Sequence, residues 1–230
     1  MEVTRATIES GLVELGLRGQ NIAVHSSLRS FGHVVGGAET VIEALLNTCA
    51  TVLMPSFCGV GRTNPPPDDR PSQNGWTYND YKINTDGLSA FDPATFDTSS
   101  EIDVEDMGVI PATFLKIAGT IRSAHPSVSW SANGPSADLF VSGHDASDPN
   151  RPLKELMNRQ GYVLLLGVGL TECTAIHLAE EMAGRRPFVR WVLFSDGQVR
   201  RIREYGCSDG FDELAPLLDH HASEGTGSVM

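Results

Sequence analysis

The sequence predicts an α/β fold in which a central, mostly parallel sheet is flanked by helices. Apolar runs at 21–28, 51–57 and 161–169 have the length and composition of buried strands. Segments with helical spacing lie before, between and after these runs, and strands that alternate with helices favour a parallel sheet covered on both faces. We expect the run at 161–169 to be a central strand of this sheet.

The helices are predicted from apolar spacing and from the residues at their ends. Thr4 or Thr7 is expected to cap the first helix and Gly19 to end it, and the pair Gly36-Gly37 opens the second. The predicted helices cover 3–17, 38–50, 107–119, 152–160 and 171–184. Alternating residues on either side of Asp196-Gly197 predict a β-hairpin over 188–205.

Residues 58–105 interrupt this regular pattern. The segment is rich in Pro, Asn, Asp and Gly and poor in apolar residues, so little regular structure is expected. A loop of this length is commonly a binding lid. Because Trp76, Tyr78 and Tyr81 can anchor it, we expect an ordered flap inserted in one domain that covers residues 1–230.

Composition excludes several classes of protein. The 230 residues are 40% hydrophobic, as in a soluble globular protein, and no apolar run reaches the ~20 residues that a bilayer crossing needs. The 29 acidic and 17 basic residues give a formal charge of −12. Such a charge disfavours nucleic acid as a partner and favours a small cationic molecule. Without a long apolar run, no membrane partner is expected.

Cysteine and histidine spacing predicts neither disulfides nor a metal site. The four cysteines lack a Cys-x-x-Cys pair, and the seven histidines lack a His-x-x-x-His pair. The N-terminus lacks the pattern of a signal peptide, so a cytoplasmic location is expected. The sequence leaves a monomer and a homodimer equally open.

Two polar segments are candidates for binding an anion. VHSSL at 24–28 ends a predicted strand in His25 and two serines ahead of a glycine-rich turn, where hydroxyls and free N–H groups can hold a phosphate. RSAHPSVS at 122–129 joins an arginine to three hydroxyls, a set that also suits a phosphate. Serines that cap a turn and a solvated arginine are the alternative interpretations.

A third segment carries the groups of a general base. In GVGLTECTAIHLAEE at 167–181, Thr174 lies three residues before His177, and Glu180 lies three residues after it. A hydroxyl, an imidazole and a carboxylate on one helix face can form an oriented base. A histidine with a purely structural role is the alternative, and Cys173, four residues before His177, allows a hydrolase with a thiol nucleophile.

Five segments, taken together and in this order, resemble the aminoglycoside 3-N-acetyltransferase family. They are VHSSLRSFGHVVGGAETVIEALL at 24–46, TVLMPSF at 51–57, DMGVIPATF at 106–114, RSAHPSVSWSANGPSA at 122–137 and GYVLLLGVGLTECTAIHLAE at 161–180. The resemblance implies an antibiotic-acetyltransferase fold. It also implies resistance through direct acetyl transfer from acetyl-CoA, the co-substrate, to the 3-amino group of a 2-deoxystreptamine aminoglycoside.

The resemblance also assigns roles to residues. His177 is expected to be the catalytic base, with Thr174 and Glu180 beside it. Residues expected along CoA are His25, Ser26, Ser27, Leu28, Arg122, Ser123, His125, Ser127 and Ser129. Because a polycationic sugar needs carboxylates around it, the residues expected there are Asp68, Asp69, Trp76, Glu101, Asp103, Glu105, Asp106 and Glu181. An acyl-CoA-dependent enzyme for another amine and a non-catalytic CoA-binding module are the rival hypotheses.

Overall fold

The computed structural model describes residues 2–74 and 96–218 of the chain. Its strands are β1 (Asn21–Ser26), β2 (Thr51–Pro55), β3 (Arg62–Thr63), β4 (Ile121–Arg122), β5 (Trp130–Asn133), β6 (Tyr162–Leu166), β7 (Phe188–Leu193) and β8 (Val199–Glu204). Five of them form a sheet of order β4-β5-β2-β1-β6. β1 pairs in parallel with β2 and β6, and β5 pairs antiparallel with β2 and β4, so four of the five strands point the same way. The predicted mostly parallel sheet is confirmed.

Four of the five predicted helices begin and end within four residues of their predicted positions. They are α1 (Arg5–Glu14), α2 (Gly37–Thr48), α3 (Val104–Met107), α4 (Val109–Phe114), α5 (Ala137–Val141), α6 (Arg151–Asn158), α7 (Ala175–Met182) and α8 (Ala215–Leu218). Short 3-10 segments cover Leu28–Phe31, Leu170–Glu172 and Phe211–Leu214. The Thr4 hydroxyl accepts from the Thr7 N–H at 3.3 Å and caps α1, while Gly36, at φ 83°, precedes α2. No helix within the described ranges is long and apolar enough to cross a membrane.

Alternate residues of the central strands fill two cores, one on each face of the sheet. Ile22 and Val24 of β1 pack with α1, α2 and α4. Ala23 of β1 and Leu53 of β2 pack on the opposite face with α5, α6 and α7. Because successive strand residues point to opposite faces, burial on both faces requires the continuous apolar runs seen in the sequence.

The predicted hairpin is confirmed and belongs to a second, antiparallel sheet of order β3-β7-β8. β3 lies within the insertion at 58–105 and pairs with β7. The Asn74 side chain donates to the Val189 carbonyl at 2.8 Å and accepts from the Val189 N–H at 2.6 Å. The described part of the insertion therefore packs on the hairpin. Its aromatic residues Trp76, Tyr78 and Tyr81 lie outside the described residues, and the flap stays a prediction.

Two element predictions are wrong. The strand at 161–169 lies at an edge of the sheet rather than in its centre, and Tyr162 and Val163 are exposed. Apolar periodicity reports which faces of a strand are buried and not how many strands pair with it. The helix expected over 107–119 is shorter: Gly108, at φ 86° and ψ 170°, separates Met107 at the end of α3 from α4, and α4 ends at Phe114.

Candidate active site

A cavity of about 750 Å³ opens at the carboxyl ends of β1, β2 and β6. This is the edge at which α/β proteins bind their ligands, because the loops that follow parallel strands meet there. The 3-10 segment after β1, helix α3, the start of α7 and the segment after β8 complete the wall. Elements far apart in the sequence therefore supply side chains to one space.

His177 lies on this wall in the first turns of α7 and is only 7% exposed. Its Nδ1 lies 2.9 Å from Glu180 Oε2, and its Nε2 lies 3.4 Å from the Ser208 hydroxyl, which also lines the cavity. Glu180 forms a further ion pair with Arg185. Since the carboxylate accepts from Nδ1–H, the lone pair of the neutral ring lies on Nε2.

Aromatic rings hold the His177 imidazole in place. Tyr205 stacks on it with ring centres 5.2 Å apart and planes 8° from parallel, and the Phe211 ring lies 4.9 Å away. The Tyr205 hydroxyl donates to the Pro149 carbonyl at 2.5 Å and accepts from the indole N–H of Trp130 at 3.2 Å. Burial lowers the pKa of His177, and Glu180 opposes that shift. The ring is therefore neutral at neutral pH and fixed in orientation.

The end of β1 offers polar groups without internal partners. His25, Ser26, Ser27 and Leu28 all line the cavity, as does Thr174 at the start of α7. His25 Nε2 and the Ser26 hydroxyl are buried and have no hydrogen-bond partner among the described residues. Burial lowers the pKa of His25 to about 4, so this ring is also neutral. Buried polar atoms normally have partners, so these two atoms are available to a bound molecule.

Among the residues that the structure describes, four carboxylates line the cavity against one basic side chain, that of Arg29. Of the acidic residues expected around the substrate, Glu105 and Asp106 lie there; the others on the wall are Glu172 and Glu204. Glu172 belongs to the candidate segment at 167–181, whereas nothing in the sequence distinguishes Glu204 in the hairpin. A wall of this charge favours a cationic ligand.

The other described carboxylates expected at the substrate do not line the cavity. Asp69 accepts from the Trp191 indole N–H at 2.7 Å and pairs with Arg201, and Asp103 caps α3. Glu181 pairs with Lys154 at 2.9 Å and accepts from Asn150 at 2.6 Å. Asp68 and Glu101 are exposed. Trp76 lies outside the described residues.

The predicted phosphate loop at 122–129 lies in the interior. Arg122 donates to the Ser56 carbonyl at 2.6 Å, to the Ser129 hydroxyl at 2.9 Å and to the Ser100 carbonyl. His125 donates from Nε2 to the Arg203 carbonyl at 2.9 Å.

The three serines of the loop are buried and bonded internally as well. The Ser123 hydroxyl lies 2.8 Å from both the Trp130 amide nitrogen and His144 Nδ1, and the Ser127 hydroxyl donates to Glu204 at 2.8 Å. Val128 is the one residue of this loop that lines the cavity. The structure thus places Arg122, Ser123, His125, Ser127 and Ser129 in a network that joins the two sheets, away from the cavity.

The thiol of Cys173 lacks the surroundings of a nucleophile. It is buried, it does not line the cavity, and burial raises its pKa, which disfavours the reactive thiolate. Within residues 2–74 and 96–218, no group of three or more His, Cys, Asp or Glu side chains could hold a metal ion.

Comparisons with known proteins show the family of the chain. A family model described as aminoglycoside 3-N-acetyltransferase matches residues 23–229. Aminoglycoside N(3)-acetyltransferase IX of Micromonospora chalcea is 34% identical over 221 residues, which cover 90% of this chain and 74% of that protein.

Two solved structures show the same fold. AAC-IIIb in a binary complex with CoASH superposes with a TM-score of 0.73 at 25% identity, covering 96% of this chain and 84% of that one. A mutant of aminoglycoside acetyltransferase AAC(3)-IVa in complex with apramycin superposes with a TM-score of 0.70 at 26% identity, covering 95% and 80%. The chain therefore belongs to the aminoglycoside 3-N-acetyltransferase family and is an acyltransferase.

Proposed function

We propose that this enzyme transfers the acetyl group of acetyl-CoA directly to the 3-amino group of a 2-deoxystreptamine aminoglycoside, with His177 as the general base, and so confers resistance to the antibiotic. The observation that carries the proposal is the neutral imidazole on the wall of an acidic cavity, held by Glu180 at Nδ1. Similarity to relatives named for this reaction supports it.

The cavity is suited to both substrates. Aminoglycosides are polycations, and the carboxylates of Glu105, Asp106 and Glu172 on the wall can attract them and hold their ammonium groups. The fourth carboxylate, Glu204, is buried and pairs with Arg62 and Arg190. The unpartnered atoms of His25 and Ser26 at the end of β1 can accept from or donate to the amides of the pantetheine arm. Acetyl-CoA supplies an activated acyl group, a thioester whose thiolate leaves readily.

His177 acts on the proton of the acceptor. The amine loses a proton to solvent before it reacts, because only its lone pair attacks the thioester carbonyl carbon. As the N–C bond forms and the C–S bond breaks, His177 Nε2 takes the second proton and passes it to the CoA thiolate. The Thr174 hydroxyl, on the same wall, can donate to the oxyanion that develops.

The test measures CoA release from acetyl-CoA with gentamicin or kanamycin, and locates the acetyl group on the product by NMR. We expect transfer to the 3-amino group, and a loss of about 10²-fold to 10⁴-fold in kcat for His177→Ala with CoA binding retained in calorimetry. His33→Ala, which changes an exposed histidine outside the cavity, is the matched control.

Each other outcome has a definite meaning. If the enzyme acetylated a different amine and no aminoglycoside, the proposed acceptor would be wrong and the proposed reaction, acetyl transfer to an amine, would stand. CoA binding without turnover on any amine would identify a binding module. Full activity of His177→Ala would remove the general base from the mechanism.

A further inference from the structure

Ser208, His177 and Glu180 form a continuous series of a hydroxyl, an imidazole and a carboxylate. The Ser208 hydroxyl lies 3.4 Å from His177 Nε2, and His177 Nδ1 lies 2.9 Å from Glu180 Oε2. We propose that this series gives the enzyme a second activity: hydrolysis of acetyl-CoA in the absence of an acceptor, with Ser208 as the nucleophile. The proposal rests on the role of His177 as a base, which the proposed function also requires.

The position of Ser208 is fixed by its surroundings. It follows β8 and is half-buried on the cavity wall, and its carbonyl accepts from the Phe211 N–H at 3.1 Å across a turn that Gly210 completes at φ 84°. The Phe211 ring in turn contacts the His177 imidazole. The same turn therefore positions the Ser208 hydroxyl and the Phe211 ring that contacts the His177 imidazole.

The distance of 3.4 Å is long for a hydrogen bond from a hydroxyl to a ring nitrogen. Nucleophile and base are often this far apart in an enzyme without its substrate, and the contact shortens when the substrate binds. The Ser208 hydroxyl lies next to His177 Nε2, in the position of a proton donor to that nitrogen. The acceptor amine must occupy the same position when it gives its proton to Nε2. When an aminoglycoside is bound, its amine is both the better nucleophile and the group at the base, and transfer prevails.

The hydrolysis proceeds in two balanced steps. In the first, the Ser208 oxygen bonds to the acetyl carbon, its proton passes to His177 Nε2, the C–S bond breaks, and the CoA thiolate leaves with that proton. In the second, water attacks the acetyl-Ser208 ester and gives its proton to Nε2. The C–O bond to Ser208 then breaks, acetic acid leaves and loses its proton to solvent to give acetate, and the serine oxygen recovers its proton from the imidazolium.

The experiment incubates the full chain with acetyl-CoA and no acceptor, and quantifies acetate and CoA by chromatography. Acid-quenched samples are analysed by intact mass and peptide mapping. We expect acetate release above the rate in buffer and one acetyl group on Ser208. We expect release to fall by about 10²-fold in His177→Ala and to the buffer rate in Ser208→Ala. Ser208→Cys should again become acetylated at that position, because a thiol is a stronger nucleophile.

Matched variants and a parallel assay separate the possible results. Ser195→Ala, which changes an exposed serine in the β7–β8 turn, is expected to hydrolyse acetyl-CoA as the unchanged chain does. Thermal unfolding shows whether each variant is folded. Equal acetate release by the unchanged chain and by Ser208→Ala would overturn the proposal, as would no release above buffer while aminoglycoside acetylation proceeds. Failure of both acetylation and hydrolysis in the unchanged chain would instead overturn the proposed function.

Discussion

At the scale of single residues, some contacts in the site join residues that are close in the sequence, and others join residues that only the fold brings together. His177 and Glu180 are three residues apart on one helix, so their contact follows from helix geometry alone. Tyr205 and Ser208 reach the same imidazole from the end of the hairpin. No local pattern relates those positions, and the sequence therefore predicts the base and its carboxylate but not the ring and hydroxyl around them.

Replacing Glu180 by glutamine tests how the base is held. The carboxylate raises the pKa of His177 against the lowering by burial, so its loss should lower that pKa further. We expect kcat to fall by about 10²-fold, since an amide stabilises the imidazolium poorly, and the acidic limb of the kcat profile to move to lower pH. The measurement is kcat for acetyl transfer across pH.

Glu181→Gln is the matched control for that variant. Its carboxylate is bound to Lys154 and Asn150 and is absent from the wall of the main cavity. We expect little change in the pH profile and a small loss of stability. A displaced profile in Glu181→Gln, or an unchanged one in Glu180→Gln, would contradict the assignment of the carboxylate partner.

At the scale of elements, the loop at 122–129 shows how a polar pattern can be misinterpreted. An arginine among serines is typical of a phosphate site, yet the guanidinium of Arg122 donates to carbonyls of two other segments, at Ser56 and Ser100. Irregular backbone in the interior must have partners for its carbonyls, and a buried arginine supplies several donors at once. Composition gives the number of donors in a loop and not whether they face a ligand or the protein itself.

Gly108 sets the orientation of the acidic wall. It links α3 and α4 at φ 86° and ψ 170°, a region that glycine alone adopts readily, and α3 carries Glu105 and Asp106. We expect Gly108→Ala to reduce the free energy of unfolding by roughly 1–3 kcal/mol and to raise KM for the aminoglycoside more than KM for acetyl-CoA. Denaturant titration and steady-state kinetics measure the two effects.

Gly11 provides the opposite case within a regular helix. It lies inside α1, and a Cβ built there meets no atom within 4 Å. Alanine should therefore stabilise the protein by roughly 0.5–1 kcal/mol without kinetic effect. The two variants are therefore expected to change the free energy of unfolding in opposite directions. A change in the same direction would mean that the backbone conformation at Gly108 does not cause the effect of its substitution.

At the scale of the whole molecule, the topology of the sheet determines where the site lies, and the net negative charge of the chain favours a cationic ligand. The parallel strands end together at the cavity, which is a property of the topology that alternating strands and helices predict. Of the second sheet, the sequence predicts only the hairpin, because β3 is two residues long and depends on pairing with β7. Short strands of this kind carry no periodic signal of their own.

The stability of the whole molecule should depend on pH through its buried histidines. Burial lowers the pKa of His25 and of His125 to about 4 and that of His144 to about 3, against 6.5 for an unburied histidine. Below that ordinary value the unfolded chain binds protons that the folded chain does not. The stabilisation is therefore complete above about pH 6.5 and is lost as the pH falls toward the folded-state pKa values.

The magnitude follows from linkage. Each of these histidines lowers the free energy of unfolding by up to about 1.4 kcal/mol per pH unit. The three together therefore lower it by at most roughly 4 kcal/mol per unit, at about pH 5, and by less toward about pH 6 and pH 4. Urea titrations at a series of pH values measure this slope. His125→Gln should reduce the slope by about a third even if it lowers stability at neutral pH, whereas the exposed His33→Gln should leave it unchanged. A free energy of unfolding that stays level from about pH 7 to pH 5 would mean that these rings accept protons in the folded protein as readily as in the unfolded chain.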